Sequence, residues 1–193
     1  MCIRDSFIPA IQLLIWTINH WQHTLDREFI NLLINSFTLA AASGFTCVIF
    51  AIFFAYSKRS FQTKSIKTVI GIAGLGYAVP GTVIAIGVLA PIAWFDNKLD
   101  YLSRIYFDMP LGLVISGSMA ILVFAYLVRF LSISLNTMDS GLSAIKPGID
   151  ESARSLGASK KNVLTKVHLP ILKTSVLTAF LLVFVEVMKE LPT

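Results

Sequence analysis

Side chains able to do chemistry are few in this chain of 193 residues, and fewer still stand at useful spacings. His20 and His23 form an H-x-x-H pair beside Trp16 and Trp21. Two imidazoles without a carboxylate make a poor metal site, and tryptophan beside polar residues is what the end of a membrane span carries. No metal ligand set is assigned. His168, shortly before Pro170, reads as a helix-end residue and not as a ligand. Cys2 and Cys47 are isolated, so neither a zinc site nor a disulfide framework is supported, and Cys47 reads as a small apolar residue. Glu186, Lys189 and Glu190 stand at i, i+3 and i+4, which lets Glu186 pair with Lys189 or face Glu190. No nucleophile–base pair is recognisable. No G-x-x-x-x-G-K-[ST] phosphate loop occurs, so the chain does not hydrolyse ATP by that route.

The elements that must position these few groups are apolar. Hydrophobic residues make up 55% of the chain and charged residues 14%, against about 25% charged in ordinary soluble domains. With a mean hydropathy of +0.75, the solvent indicated is lipid. Apolar runs cover Phe7–Ile18, Phe29–Tyr56, Val69–Phe95, Leu111–Leu131 and Ile171–Val185. A spanning helix needs about 20 residues, so the second, third and fourth runs are long enough and the first is too short. At about 1.5 Å per residue beyond Pro170, Glu186 to Glu190 lie roughly 24 to 30 Å along the last helix, near the far interface. Two readings of this trio stay open: an interfacial salt pair, or a periplasmic gate or contact with an external binding protein.

Loop charges set the orientation. Lys58, Arg59, Lys64 and Lys67 crowd one loop with no acid, whereas Asp96 to Asp108 sets Lys98 and Arg104 against three aspartates. By the positive-inside rule the first loop is cytoplasmic, and Arg154, Lys160, Lys161 and Lys166, one crossing pair later, lie on the same side. The net charge of +5 is explained by this topology, with no nucleic-acid partner required. Within "GIAGLGYAVPGTVIAIGVLAP", small residues permit close helix packing, and Pro80 should kink the helix and free a carbonyl. Pro80 serves either ordinary packing or the pathway itself.

The polar stretch "ESARSLGASKKNVLTKVHLP", Glu151 to Pro170, interrupts this apolar pattern. Pro147 and Gly148 make a turn, Asp150 is the expected N-cap, and Gly157 to Ser159 join two short helices. Ala153, Leu156, Gly157, Val163, Leu164 and Val167 share one face, which predicts an amphipathic elbow at the membrane surface. The same residues admit two other readings: a solvated loop resting on lipid, or a DNA-binding helix-turn-helix over 151–168 in a membrane-anchored regulator.

The stretch also resembles the EAA loop of binding-protein-dependent ABC importer permeases, whose pattern is E-A-A, three residues, Gly, nine residues, then I-x-L-P. Glu151, Ala153, Gly157, Leu169 and Pro170 match in register, with Ser152 in place of the second Ala and Val167 in place of Ile. "GYAVPGTVIAIGVLAP" and "FVEVMKELPT" are similar to the iron(III)-type permeases of that family. The resemblance implies an all-α, polytopic membrane bundle, the partial transmembrane domain of a type I ABC importer, over residues 7–193. It implies a cytoplasmic coupling loop at about 132–170, in which Glu151, Ser152, Ala153, Leu156, Gly157, Leu169 and Pro170 serve an ATPase. Pro80, Glu186, Lys189 and Glu190 stand as candidate pathway or gate residues beside the packing and salt-pair readings given above. The implied partners are a cytoplasmic ATPase dimer that uses ATP, a solute-binding protein, a second permease half or copy, and lipid. The chain is then no enzyme and binds no cofactor; its place is the bacterial inner membrane and its substrate ferric iron or a similar small solute. Residues 1–6 read as a truncation or assembly scar, and both ends read as cut, with at least one further span expected after Thr193.

Overall fold

Among the described residues every regular element is helical, as the apolar runs require when backbone groups must be satisfied without water. The computed structural model describes residues 7–16, 18, 27–61, 63–108, 110 and 112–190. Cys2, His20, Trp21 and His23 lie outside them. The chain divides into two units, Met1–Thr38 and Leu39–Thr193. The first holds α1 (Phe7–Trp16), which is apolar but too short to cross a bilayer, and the start of α2 (Arg27–Ser60). α2 has Glu28 in its first turn and Lys58 and Arg59 in its last, the arrangement that complements the helix dipole.

The second unit continues with α3 (Lys64–Ala73), a 3₁₀ segment (Gly74–Ala78), α4 (Gly81–Phe107) and α5 (Met119–Ser143). The elbow follows as α6 (Pro147–Ser155) and α7 (Lys160–Ile171), and α8 (Lys173–Lys189) leaves it at a bend of 73°. α2, α4 and α5 are each long and apolar enough to span, and the bent α7–α8 pair makes a fourth candidate. Among the described residues the five apolar runs of the sequence thus give three candidate spans, or four with that pair.

The boundaries differ from the sequence expectation in three places, each with a physical cause. Val69–Phe95 is not one kinked helix but is broken outright. Val79, ahead of Pro80, is extended (φ −87°, ψ 132°) as a residue before proline must be, and the 3₁₀ turn packs against α5. A Cβ on Gly76 would collide with the carbonyl oxygen of Val128, so only glycine lets the break approach α5 so closely. Second, the expected loop Asp96–Asp108 is helical almost throughout, because α4 starts late at Gly81 and runs on to Phe107. Third, the run Leu111–Leu131 starts with coil. Asp96 is buried, and its carboxylate accepts from the Ile115 and Ser116 N–H groups and the Ser116 hydroxyl, at 2.6 to 3.2 Å. That holds residues 115–116 as a turn, and the helix begins only after Ser118.

The core of the second unit lies between α2, α5 and α8. Val48, Ala51 and Ala55 pack with Leu131, Leu135, Met138 and Leu142, and with Leu172 and Ala179. A neighbouring cluster joins Ala40, Cys47, Phe130, Val183 and Val187. Small residues recur along the buried side of α2, and a Cβ on its Gly44 would press on the Phe180 ring at 3.1 Å. Contact of this kind stands in for the hydrophobic drive that lipid removes. Large side chains such as Phe45 and Phe53 point outward instead, as lipid permits. Gly76→Val should therefore destabilise by about 1–3 kcal/mol, because its neighbour is fixed backbone. Gly87→Ala, with open space around it, should be neutral or slightly stabilising. Thermal unfolding in detergent checks both.

Candidate functional site

The elbow is built by local signals. Pro147 occupies the first turn of α6, where its missing N–H costs nothing, and the N-cap is Lys146, not Asp150 as the sequence suggested. α6 ends in a Schellman motif: the Ala158 N–H donates to Ala153 O at 3.0 Å and the Gly157 N–H to Arg154 O at 2.9 Å. Gly157 takes φ +84°, which explains why glycine stands there. Ser159 then caps α7 by accepting from the Asn162 N–H at 3.3 Å. The middle of α7, Val163–His168, is wound as a π-helix just ahead of Pro170, whose missing N–H already interrupts the α ladder.

Asp150 is freed from capping and instead ties the elbow to the rest of the domain. Its Oδ2 accepts from Arg59 Nε at 2.8 Å and its Oδ1 from His168 Nε2 at 2.7 Å. Arg59 also donates through Nη1 to the Leu142 carbonyl and through Nη2 to that of Ile145 at 3.0 Å. Those are carbonyls at the C-terminal end of α5, where the negative end of the dipole lies, and the Leu142 oxygen also accepts from the Ile145 N–H at 3.1 Å. His168 is fully buried, and Tyr56 packs edge-on against it at 5.7 Å while donating its hydroxyl to Lys160 O at 2.7 Å. One arginine and one aspartate thus join the ends of α2 and α5 to both helices of the elbow. Burial alone would raise the Asp150 pKa, but the hydrogen bonds from Arg59 and His168, with their charges, outweigh it and hold it below the ordinary 3.8. Lys58 and Asp139 form a second bridge at 2.5 Å, more exposed and so worth little.

The proposed coupling residues fall into two groups. Glu151 and Ser152 are exposed on α6, and Leu156 at its end is 89% exposed. Gly157 is exposed beside it. Leu156 and Gly157 therefore do not share the buried face with Val163, as helical spacing suggested, because the chain reverses at Gly157 before that face is completed. Ala153 and Leu169 are half-buried, and Pro170 is exposed near the end of α7. Sequence reasoning counted Arg59 only as loop charge and passed over Tyr56. An arginine one residue from the end of a long apolar helix, placed to reach a neighbouring helix end, was the available signal.

The four tentative pathway residues also divide. Glu186 pairs with Lys189 at 2.9 Å, on the exposed side of α8. Glu190 faces neither of them and pairs with Arg129 of α5 at 2.5 Å. Pro80, Arg129 and Glu190 line one cavity of about 500 Å³. Arg129 was missed because it sits inside a run read as apolar, although an arginine within a span is itself a signal of function. Among the described residues no group of three or more His, Cys, Asp or Glu side chains is placed to hold a metal.

The clamp makes an energetic prediction. Arg59→Gln should cost about 1–3 kcal/mol, since Asp150 keeps only His168 and the Ile145 carbonyl loses its donor, while Lys58→Gln should cost no more than about 1 kcal/mol. Because the folded Asp150 pKa is depressed, its contribution is fully present above the unfolded value and is lost as pH falls from there through the folded one. The stability gap between wild type and Asp150→Asn should thus be constant near neutrality and close below about pH 4, as thermal unfolding from pH 7 to pH 3 would show.

Residues 47–193 match the family of binding-protein-dependent transport system inner membrane components. Over 187 residues the chain is 25% identical to the Fe(3+)-transport system permease protein FbpB 2 of Haemophilus influenzae, covering 95% of this chain and 34% of that one. It is 27% identical to the ferric transport system permease protein FbpB of Actinobacillus pleuropneumoniae, over 81% of this chain and 20% of that one. It is 24% identical to the putative 2-aminoethylphosphonate transport system permease protein PhnV of Salmonella typhimurium, over 86% of this chain and 57% of that one. The chain thus spans between a fifth and three-fifths of the length of these relatives. With its spanning helices, its helical elbow and a match over most of its length, the chain belongs to the inner membrane components of binding-protein-dependent transport systems.

Proposed function

We propose that the chain forms part of the translocation path of an ATP-driven importer and couples it to a cytoplasmic ATPase dimer through the elbow. The observation that carries this reading is the pairing of an exposed tip with a rigid mount. Leu156 is 89% exposed, yet the helix bearing it is tied through Asp150 and Arg59 to the ends of two core helices. An apolar side chain presented in this way suits the groove of a partner, with Glu151 beside it to accept hydrogen bonds from a basic group. A push on the tip would pass through the clamp into α2 and α5 and through the 73° bend into α8. Rigid-body rocking of the spans is the motion that alternating access requires.

In this reading ATP is used by the partner, and the solute arrives from an external binding protein. A second permease half or copy completes the path. Ferric iron is the solute class favoured by the similarity to ferric permeases. The DNA-reader alternative gains no support from the geometry. The second helix of the elbow commits Val163 and His168 to the domain core, and part of it is π-wound.

Gly157 is a poor place to test coupling, because any side chain there meets a left-handed backbone and strains the cap. Leu156 is better, since it makes little contact within the chain. Leu156→Glu should leave the amount of inserted protein unchanged and cut solute-stimulated ATPase activity and uptake by about tenfold or more, as loss of a central apolar anchor does. Unchanged uptake at normal protein levels would reject the docking role.

A further inference from the structure

Arg129 lies within α5, in a helix that qualifies as a membrane span, and its environment is unusual for so costly a residue. Its Nη2 meets Glu190 at 2.5 Å, while Nε and Nη1 are buried without a hydrogen-bond partner. A guanidinium offers two forks to an oxyanion, Nε with Nη2 and Nη1 with Nη2. Glu190 holds only the nitrogen common to both and completes neither. Two buried, unmade donors on one half-buried cation mark a place for a further acceptor.

The surroundings favour that acceptor being an anion. The cavity of about 500 Å³ that Arg129 shares with Pro80, Gly81, Thr82, Tyr126 and Glu190 has room for a small solute. A Cβ on Gly81 would collide with Nη1, so the guanidinium lies directly against the first residue of α4. There the 27-residue helix presents its N-terminal end, whose partial charge adds to that of the arginine. Glu190 supplies a carboxylate to Arg129 from the C-terminal end of α8.

We propose that this cavity is an oxyanion subsite, in which Arg129 is the recognising group and Glu190 a resident carboxylate that an incoming anion displaces. Displacement exposes a complete fork, so the anion gains two parallel N–H···O bonds where Glu190 made one. A bare ferric ion would be repelled by both the guanidinium and the helix end. Where the transport reading above holds, the solute therefore passes this point as an oxyanion or enclosed in an anionic complex. Only that last statement rests on the transport reading.

The test is calorimetric titration of the purified complete polypeptide in lipid nanodiscs with two probes, inorganic phosphate and ferric citrate. Glu190→Gln removes the competing charge and should tighten binding of at least one probe about tenfold, Arg129→Lys keeps the charge but loses the fork and should weaken it by a similar factor, and Arg129→Gln should abolish it. Binding of phosphate alone would identify a free oxyanion as the ligand, and binding of ferric citrate alone an anionic complex; either supports the subsite. Equal affinity in wild type and Arg129→Gln, or no binding of either probe to wild type and Glu190→Gln, would overturn it. Neither result touches the ATPase response to Leu156→Glu, so failure of the subsite and failure of the transport reading are told apart.

Discussion

The contact between Arg59 and Asp150 is the constraint on which the elbow end of this domain depends. A surface elbow of two short helices has no core of its own, and helices of this length are marginal when isolated. Here both are anchored to the spans through a single carboxylate. Asp150 reaches α2 through Arg59 and α7 through His168, while Arg59 goes on to the Leu142 and Ile145 carbonyls at the end of α5. Arg59 and Asp150 would each be costly to bury alone, and here they satisfy one another, although the buried Nδ1 of His168 has no partner. The elbow is thereby fixed relative to the helix ends without contributing much apolar area.

The same logic governs the opposite end of the bundle, where Asp96 fixes the start of α5 by accepting from the backbone of residues 115 and 116. In both places an acidic side chain from one element organises the terminus or approach of another. The long apolar helices between them associate through small residues and close packing, which tolerate sliding more readily than polar contacts do. Polar contacts at the two ends therefore set the register of the helices, and the apolar middle fills the space so defined.

Much of this was legible in the sequence. Composition and run length identified the membrane, and loop charge set the elbow and the basic end of α2 on one side, where Arg59 and Asp150 meet. The turn at Gly157 followed from its cap chemistry. What the sequence concealed were interactions between residues far apart. Asp150 has the type and place of an N-cap, yet two distant partners outcompete that role. The limits of α4 and α5 moved because Asp96 and Pro80 act on backbone that hydropathy reads as uniform. Arg129 was hidden by apolar neighbours, since a window average dilutes a single charge.

Arg129 and Arg59 show how position decides what one residue type does. Both leave a spanning helix to meet an acid on another element. Arg59, near the interface, spends every nitrogen on a partner and is structural in consequence. Arg129 faces a cavity and spends one, although the cost of burying a guanidinium is greater within a span than at its end. A purely structural role would favour the fully satisfied arrangement, because unmade donors add cost without adding rigidity. The difference in satisfaction between two arginines of the same domain therefore separates a fixed joint from a place where partners are exchanged.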